Sequence, residues 1–201
     1  METYPLSLAL FDFVPVTMFL VGTFYLVRNA LQLRGSPCGR MTMAGSLLIF
    51  LGGFLKAAWK LLYAANIADW RWMSELQFLL VTPGFLALLV TAILIARGRG
   101  RSGPLPLMAI ATWKIPLLAI MTLSSMGAQG ILAYLSFRRR VLPAAVGFIV
   151  AFLCLVGMGA MASGEQTVAK QWIEESINTV GQLGFMLGAV VLDRDVRLKR
   201  C

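Results

Sequence analysis

Residues 104–137 read PLPLMAIATWKIPLLAIMTLSSMGAQGILAYLSF, 34 residues in which Lys114 is the only charged side chain. One straight helix of that length would measure about 51 Å at a rise of about 1.5 Å per residue. The hydrocarbon layer of a bilayer is roughly 30 Å thick and takes about 20 apolar residues to cross. The run is therefore long for one crossing and short for two, since two would leave nothing for a turn. If it bends, the stretch from Ser124 to Gly130, SSMGAQG, is the natural place. How this run crosses decides the number of spans and the relation between the two halves of the chain.

Five further apolar runs, at 6–33, 41–65, 72–96, 141–162 and 168–192, have the length of ordinary single spans. Together the six take up most of the 201 residues, 59% of which are hydrophobic and only 13% charged. A soluble domain carries about 25% charge, so the chain reads as an all-α integral membrane protein with no separate soluble domain. Glu2 occupies the place where a signal peptide carries positive charge, and no small-residue cleavage site follows the first run, which is expected to be kept as a span.

The net charge of +9 would suggest nucleic acid in a soluble protein. Here the arginines sit just outside the apolar runs, at Arg34 and Arg40, at Arg97, Arg99 and Arg101, at Arg138–Arg140, and at Arg194, Arg197 and Arg200. They are read as orientation signals and lipid contacts, with no nucleic-acid partner. With seven spans and an outer N-terminus every cluster falls on the cytoplasmic side, whereas six spans divide them between the two sides.

A weak internal repeat favours six. At an offset of 100 residues Trp72, Glu75, Gly84 and Phe85 align with Trp172, Glu175, Gly184 and Phe185, and at an offset of 101 Pro5, Leu6 and Pro15 align with Pro106, Leu107 and Pro116. The long fourth run then matches the first as one helix, giving three-helix halves at residues 1–101 and 102–201. Three crossings turn the chain over, so tandem halves without a linker helix have opposite orientation. The expected architecture is thus a six-helix transmembrane bundle of two inverted three-helix repeats, with seven helices as the alternative.

An ionisable side chain near the middle of a span costs roughly 2.5–3.5 kcal/mol on insertion scales and normally faces the bundle interior with a partner. Asp12, Lys56, Lys60, Glu75, Lys114, Glu174 and Glu175 are such residues. Lys56 and Lys60 lie one turn apart and project from one helix face, where they call for carboxylates or an anion. Asp12 and Lys56 are expected to face inward and pair. Asn178, Thr179 and Gln182 continue the face of Glu175 as a polar stripe that must look inward, either to line a pathway or to bond across to a neighbouring helix. Pro15, Pro83 and Pro116 lie inside runs and are expected to kink them. Pro15 follows Asp12 and Pro116 follows Lys114 within three residues, so bend and charge coincide. The bland reading remains that Lys56, Lys60 and Glu75 snorkel to headgroups, and Trp59, Trp70 and Trp72 read as an interfacial belt.

Cys38, Cys154 and Cys201 have no CxxC spacing, and the chain has no histidine, so no metal site is expected and no His-based catalysis. Without a nucleotide loop, cofactor fingerprint or nucleophile–base pair, no cofactor is called for and an enzyme is the lesser class. The sequence points to a small multi-pass transporter or channel in the plasma membrane, the inner membrane of a bacterium. Its partners would be lipids and a small polar or ionic solute, with homo-oligomers allowed. The alternative is a membrane sensor or assembly subunit. The proposed pathway comprises Asp12, Lys56, Lys60, Glu75, Lys114, Glu175, Asn178 and Gln182.

Overall fold

A computed structural model describes residues 5–97, 114–161 and 167–199, with the backbone alone for 114–118. The described residues form seven helices: α1 (Leu6–Phe11), α2 (Phe13–Arg34), α3 (Ser36–Ala64), α4 (Arg71–Ala96), α5 (Lys114–Arg138), α6 (Leu142–Met161) and α7 (Val168–Leu198). Since α1 and α2 together make one apolar unit, Leu6–Arg34, six helices are long and apolar enough to cross a membrane.

Residue chemistry sets the helix ends. The break between α1 and α2 falls at Asp12 because the ring of Pro15 crowds the carbonyl four residues back, that of Phe11. The bend expected at Pro15 is thus present, with Asp12 at its apex. Pro83 lies inside α4, which continues through it. Pro116 falls in the first described turn of α5; the side chains of Lys114 and Pro116 lie outside the described set. Gly35, at φ 82°, is the whole connection between α2 and α3 and adopts a conformation that favours glycine. After α5, Arg140 takes a positive φ of 63° while the Val141 N–H bonds back to the Ser136 carbonyl, closing the helix end.

The helices form a ring in chain order. Each of α2 to α7 packs on its neighbours in sequence, and α7 closes the ring against α2, with α1 on the flank of α2 and α3. The outer face is apolar, with Leu20, Phe24, Leu51, Leu79, Leu153 and Leu187 among its exposed residues, as expected of a surface that meets acyl chains. The inner contacts use small and hydroxyl residues, with Thr42, Thr82, Thr91 and Ser136 each no more than 2% exposed. Thr42 donates to the Cys38 carbonyl at 2.8 Å and meets the Thr91 hydroxyl at 3.4 Å.

Contacts at the two ends fix the direction of every helix. Lys60 near the end of α3 reaches Asp12 before α2 and Glu175 in the early part of α7. At the opposite end Arg34 donates to the Leu94 carbonyl near the end of α4. There too Arg28 of α2 lies 3.8 Å from Asp193 of α7, and Lys199 reaches the Arg139 carbonyl just after α5. Thus α2, α4, α5 and α7 all run from the Lys60 end to the opposite end, and α3 and α6 return.

This overturns the inverted repeat. Matched helices, α2 with α5, α3 with α6 and α4 with α7, run parallel, so any two-fold relation has its axis along the bundle. Two helix crossings are close: a Cβ on Gly45 would meet the Gly84 carbonyl at 2.9 Å, and one on Gly147 would meet the Gly184 carbonyl at 2.6 Å. Gly45 and Gly84 thus cross α3 on α4 as Gly147 and Gly184 cross α6 on α7. Arg97 and Lys114 lie toward opposite ends, as the seven-crossing alternative requires; the connection through 98–113 is outside the described residues. Arg34, Arg40, Arg97, Arg138–Arg140, Arg194 and Arg197 consequently share one end, hereafter the arginine end.

Candidate functional site: a buried ion cluster above a central cavity

The kink at Pro15 puts Asp12 against α3, and the outward run of α3 brings Lys60 level with it. Lys60, 6% exposed, places its Nζ 2.5 Å from Asp12 Oδ2 and 2.9 Å from Glu175 Oε1. Asp12 and Glu175 are 4% and 8% exposed. One ammonium thus ties α2 and α3 to α7. Glu175 also accepts from Asn178 Nδ2 at 3.4 Å through its other oxygen. Lys56, half-buried one turn earlier, lies within electrostatic reach of Glu175, Asp12 and Glu174. The expected partner of Asp12 was Lys56, but Lys60 makes the close pair. The kink at Asp12 lies level with the later turn of α3, and helical spacing within one chain cannot reveal that level.

Several buried oxygens beside this cluster have no hydrogen-bond donor: Asp12 Oδ1, Gln171 Oε1 and Glu174 Oε1. Gln171 is 9% exposed and shares a face of α7 with Glu175, one turn away. Taking charges out of water costs several kcal/mol per ion unless pairing and hydrogen bonding offset it. The snorkelling reading of Lys60 does not apply to a side chain so enclosed. Glu75 stands exposed on α4 and is not brought into the cluster. Outside the spans, Asp69 accepts from Trp59 Nε1 at 3.1 Å and pairs with Arg71 at 3.0 Å. The Trp59 hydrogen bond first, with Arg71 beside it, holds the Asp69 carboxyl below the usual carboxylate range.

Toward the arginine end from the cluster lies a small cavity of about 50 Å³, with Asn178, Gln182, Ser125, Gln129, Cys154 and Met158 in its lining. Asn178 touches both the ion cluster and this space. Thr179, by contrast, donates to the Glu175 carbonyl of its own helix at 2.7 Å. A second, more apolar void of about 10 Å³ lies toward the arginine end and shares Phe19, Phe85, Ser125 and Gln129 with the first. Phe19 stacks on Phe185 at 5.6 Å, and Phe185 meets Phe148 edge-on at 6.1 Å. Phe19 lines both spaces and Phe185 the second.

Sequence reasoning missed Ser125 and Gln129, which read there as part of a bend. It also missed Asp193 and Asn29, 0% and 1% exposed in the seam between α2 and α7. Asp193 is paired with Arg197 at 2.9 Å and lies near Arg28. Asn29 carried a signal, an amide inside an apolar run, whereas Asp193 falls just past the end of its run among charged residues. Among the described residues no group of His, Cys, Asp and Glu could hold a metal ion. Comparison with family models, with curated proteins and with solved structures gives no match. Fold and site define a multi-pass helical membrane protein whose ring encloses polar side chains beneath a buried ion cluster.

Proposed function

We propose that this protein is a transporter that carries a small polar or ionic solute along the axis of the ring. The observation that carries the reading is that Asn178 bonds to the ion cluster of Lys60, Asp12 and Glu175 and also lines a cavity with Gln182, Gln129 and Ser125. Burying these groups costs stability that leucine and alanine would not, and a bundle needing only to hold together has small-residue packing for that purpose. The voids inside the ring are small, about 50 Å³ and about 10 Å³, which favours a carrier over an open channel. Under the positive-inside rule the arginine end faces the cytoplasm and the Lys60 cluster the outside of the plasma membrane.

The test is flux into liposomes of phosphatidylethanolamine and phosphatidylglycerol. Entrapped dyes report entry of sodium, potassium, chloride and protons, and osmotic swelling reports urea and glycine. The parent should carry at least one of these above protein-free liposomes. Gln182→Leu and Gln129→Leu, which line the space without entering the ion cluster, should reduce that flux at least ten-fold while thermal unfolding stays unchanged. Variants that stay folded and carry the probe like the parent would reassign these polar groups to helix packing and favour the sensor or assembly-subunit reading.

A further inference from the structure

Asp193 belongs to neither the Lys60 cluster nor the cavity, yet it is fully buried in the seam where α7 closes the ring on α2. Two arginines reach it. Arg197, one turn further along α7, comes within 2.9 Å of Oδ2, and Arg28 of α2 within 3.8 Å of Oδ1. The aspartate is 0% exposed, whereas the side chains of Arg28 and Arg197 are 36% and 46% exposed. A guanidinium carries five N–H donors in a planar fork, more than one shared carboxylate can take up. Both arginines are therefore anchored on the buried side and keep donors at the surface of the ring.

This seam is positively charged and stands over an apolar strip. Among the described residues Arg28, Arg194, Arg197 and Lys199 face only Asp193 and Asp195, the second of which pairs with Lys199 at 2.9 Å. Toward the bilayer centre lies Phe24, 59% exposed, with the Arg28 guanidinium 5.8 Å from its ring centre. Exposed Val21 continues the face of Arg28 at a spacing of seven, as Met186 and Val190 continue that of Asp193 on α7. Arg28 precedes the end of α2 at Arg34 by about 9 Å of helix. The headgroup layer adds roughly 5–8 Å to each side of the hydrocarbon, so a guanidinium reaching outward from that depth arrives at the level of the lipid phosphates.

We infer that the α2–α7 seam at the arginine end is a binding site for one anionic phospholipid, with its phosphate between Arg28 and Arg197 and an acyl chain along Phe24 and Val21. The arginine fork matches pairs of phosphate oxygens, and the surplus positive charge selects a lipid of net negative charge over a zwitterionic one. A free phosphate would engage the arginines alone, whereas a lipid also covers the apolar strip. The bound lipid joins the first and last spans of the ring at the place where it closes. The site is independent of the transport reading.

Native mass spectrometry of the purified protein in detergent, titrated with phosphatidylglycerol, tests this. The parent should bind one phosphatidylglycerol about ten-fold more tightly than phosphatidylcholine, and excess inorganic phosphate should not displace it. Arg28→Gln and Arg197→Gln should each weaken binding about ten-fold. Arg40→Gln makes the same charge change at an exposed position of α3 at the same end and should leave affinity within about two-fold. A phosphatidylglycerol with a diazirine on its acyl chain, photolysed on the parent, needs no variant to fold and should label residues 20–31 and 183–198. Unchanged affinity in both glutamine variants at the seam, an equal loss in Arg40→Gln, or label confined to other helices overturns the site. Equal binding of phosphatidylcholine, or displacement by inorganic phosphate, overturns the assignment of an anionic lipid.

Discussion

Replacing Gly147 by alanine tests the ring where two described helix backbones come closest. The added Cβ would lie 2.6 Å from the Gly184 carbonyl oxygen, 3.0 Å from Gly188 N and 3.1 Å from Gly188 Cα, all backbone atoms. The first distance is about 0.8 Å short of the 3.4 Å at which ordinary contact begins. No side chain can swing aside, so α6 and α7 must part by several tenths of an ångström along a seam that also includes Ala144, Ala151 and Phe148. Overpacking of this kind costs about 1–3 kcal/mol. With about 2–4 °C per kcal/mol for a chain of this size, the melting temperature should fall by roughly 2–12 °C. The assay is thermal unfolding in detergent micelles, followed by tryptophan fluorescence. Gly45→Ala, at the corresponding crossing of α3 on α4, should lose a similar amount. Gly157→Ala and Gly159→Ala, whose added methyl groups meet nothing within 4 Å, should be neutral or slightly stabilising, since alanine favours helix by about 1 kcal/mol over glycine. If Gly147→Ala melts with the parent, the close crossing is wrong.

Lys60→Met leaves two buried carboxylates without their ammonium and should cost about 3–5 kcal/mol in denaturant unfolding; the charge-free triple variant Asp12→Asn/Lys60→Met/Glu175→Gln should recover most of that, and a harmless Lys60→Met would mean the lysine escapes to the headgroups. Single cysteines at Ser36 and Arg139 in a background lacking the native three should label from one side of the membrane and a cysteine at Asn66 from the other; opposite labelling of Ser36 and Arg139 would restore the inverted arrangement. Cys154, which lines the polar space, should react with a small thiol reagent in the folded protein far faster than buried Cys38, and comparable rates would argue against an accessible space. Trp59→Phe should raise the Asp69 pKa, followed by carboxylate NMR. Because that carboxyl is depressed in the folded protein, its contribution is present above the unfolded pKa and lost as pH falls through the folded one; an unmoved Asp69 titration would remove Trp59 as the cause.

The sequence by itself determined the membrane class and most span limits, because the cost of leaving apolar segments in water adds up locally along the chain. The run at 72–96 became α4, Arg71–Ala96, and that at 141–162 became α6, Leu142–Met161. The helix break at Asp12 follows from Pro15, since proline acts on the carbonyl four residues behind it. A match at an offset of 100 residues is a scalar and says nothing about direction. Length and charge gave opposite answers on the number of crossings, and only the contacts of Lys199 with Arg139 and of Arg34 with Leu94 decided how α5 runs. Tertiary structure likewise decided that Lys60 and not Lys56 sits between Asp12 and Glu175. Helical periodicity states which side chains share a face, whereas pairing depends on the height at which two helices pass each other, and the packing of the whole ring sets that height.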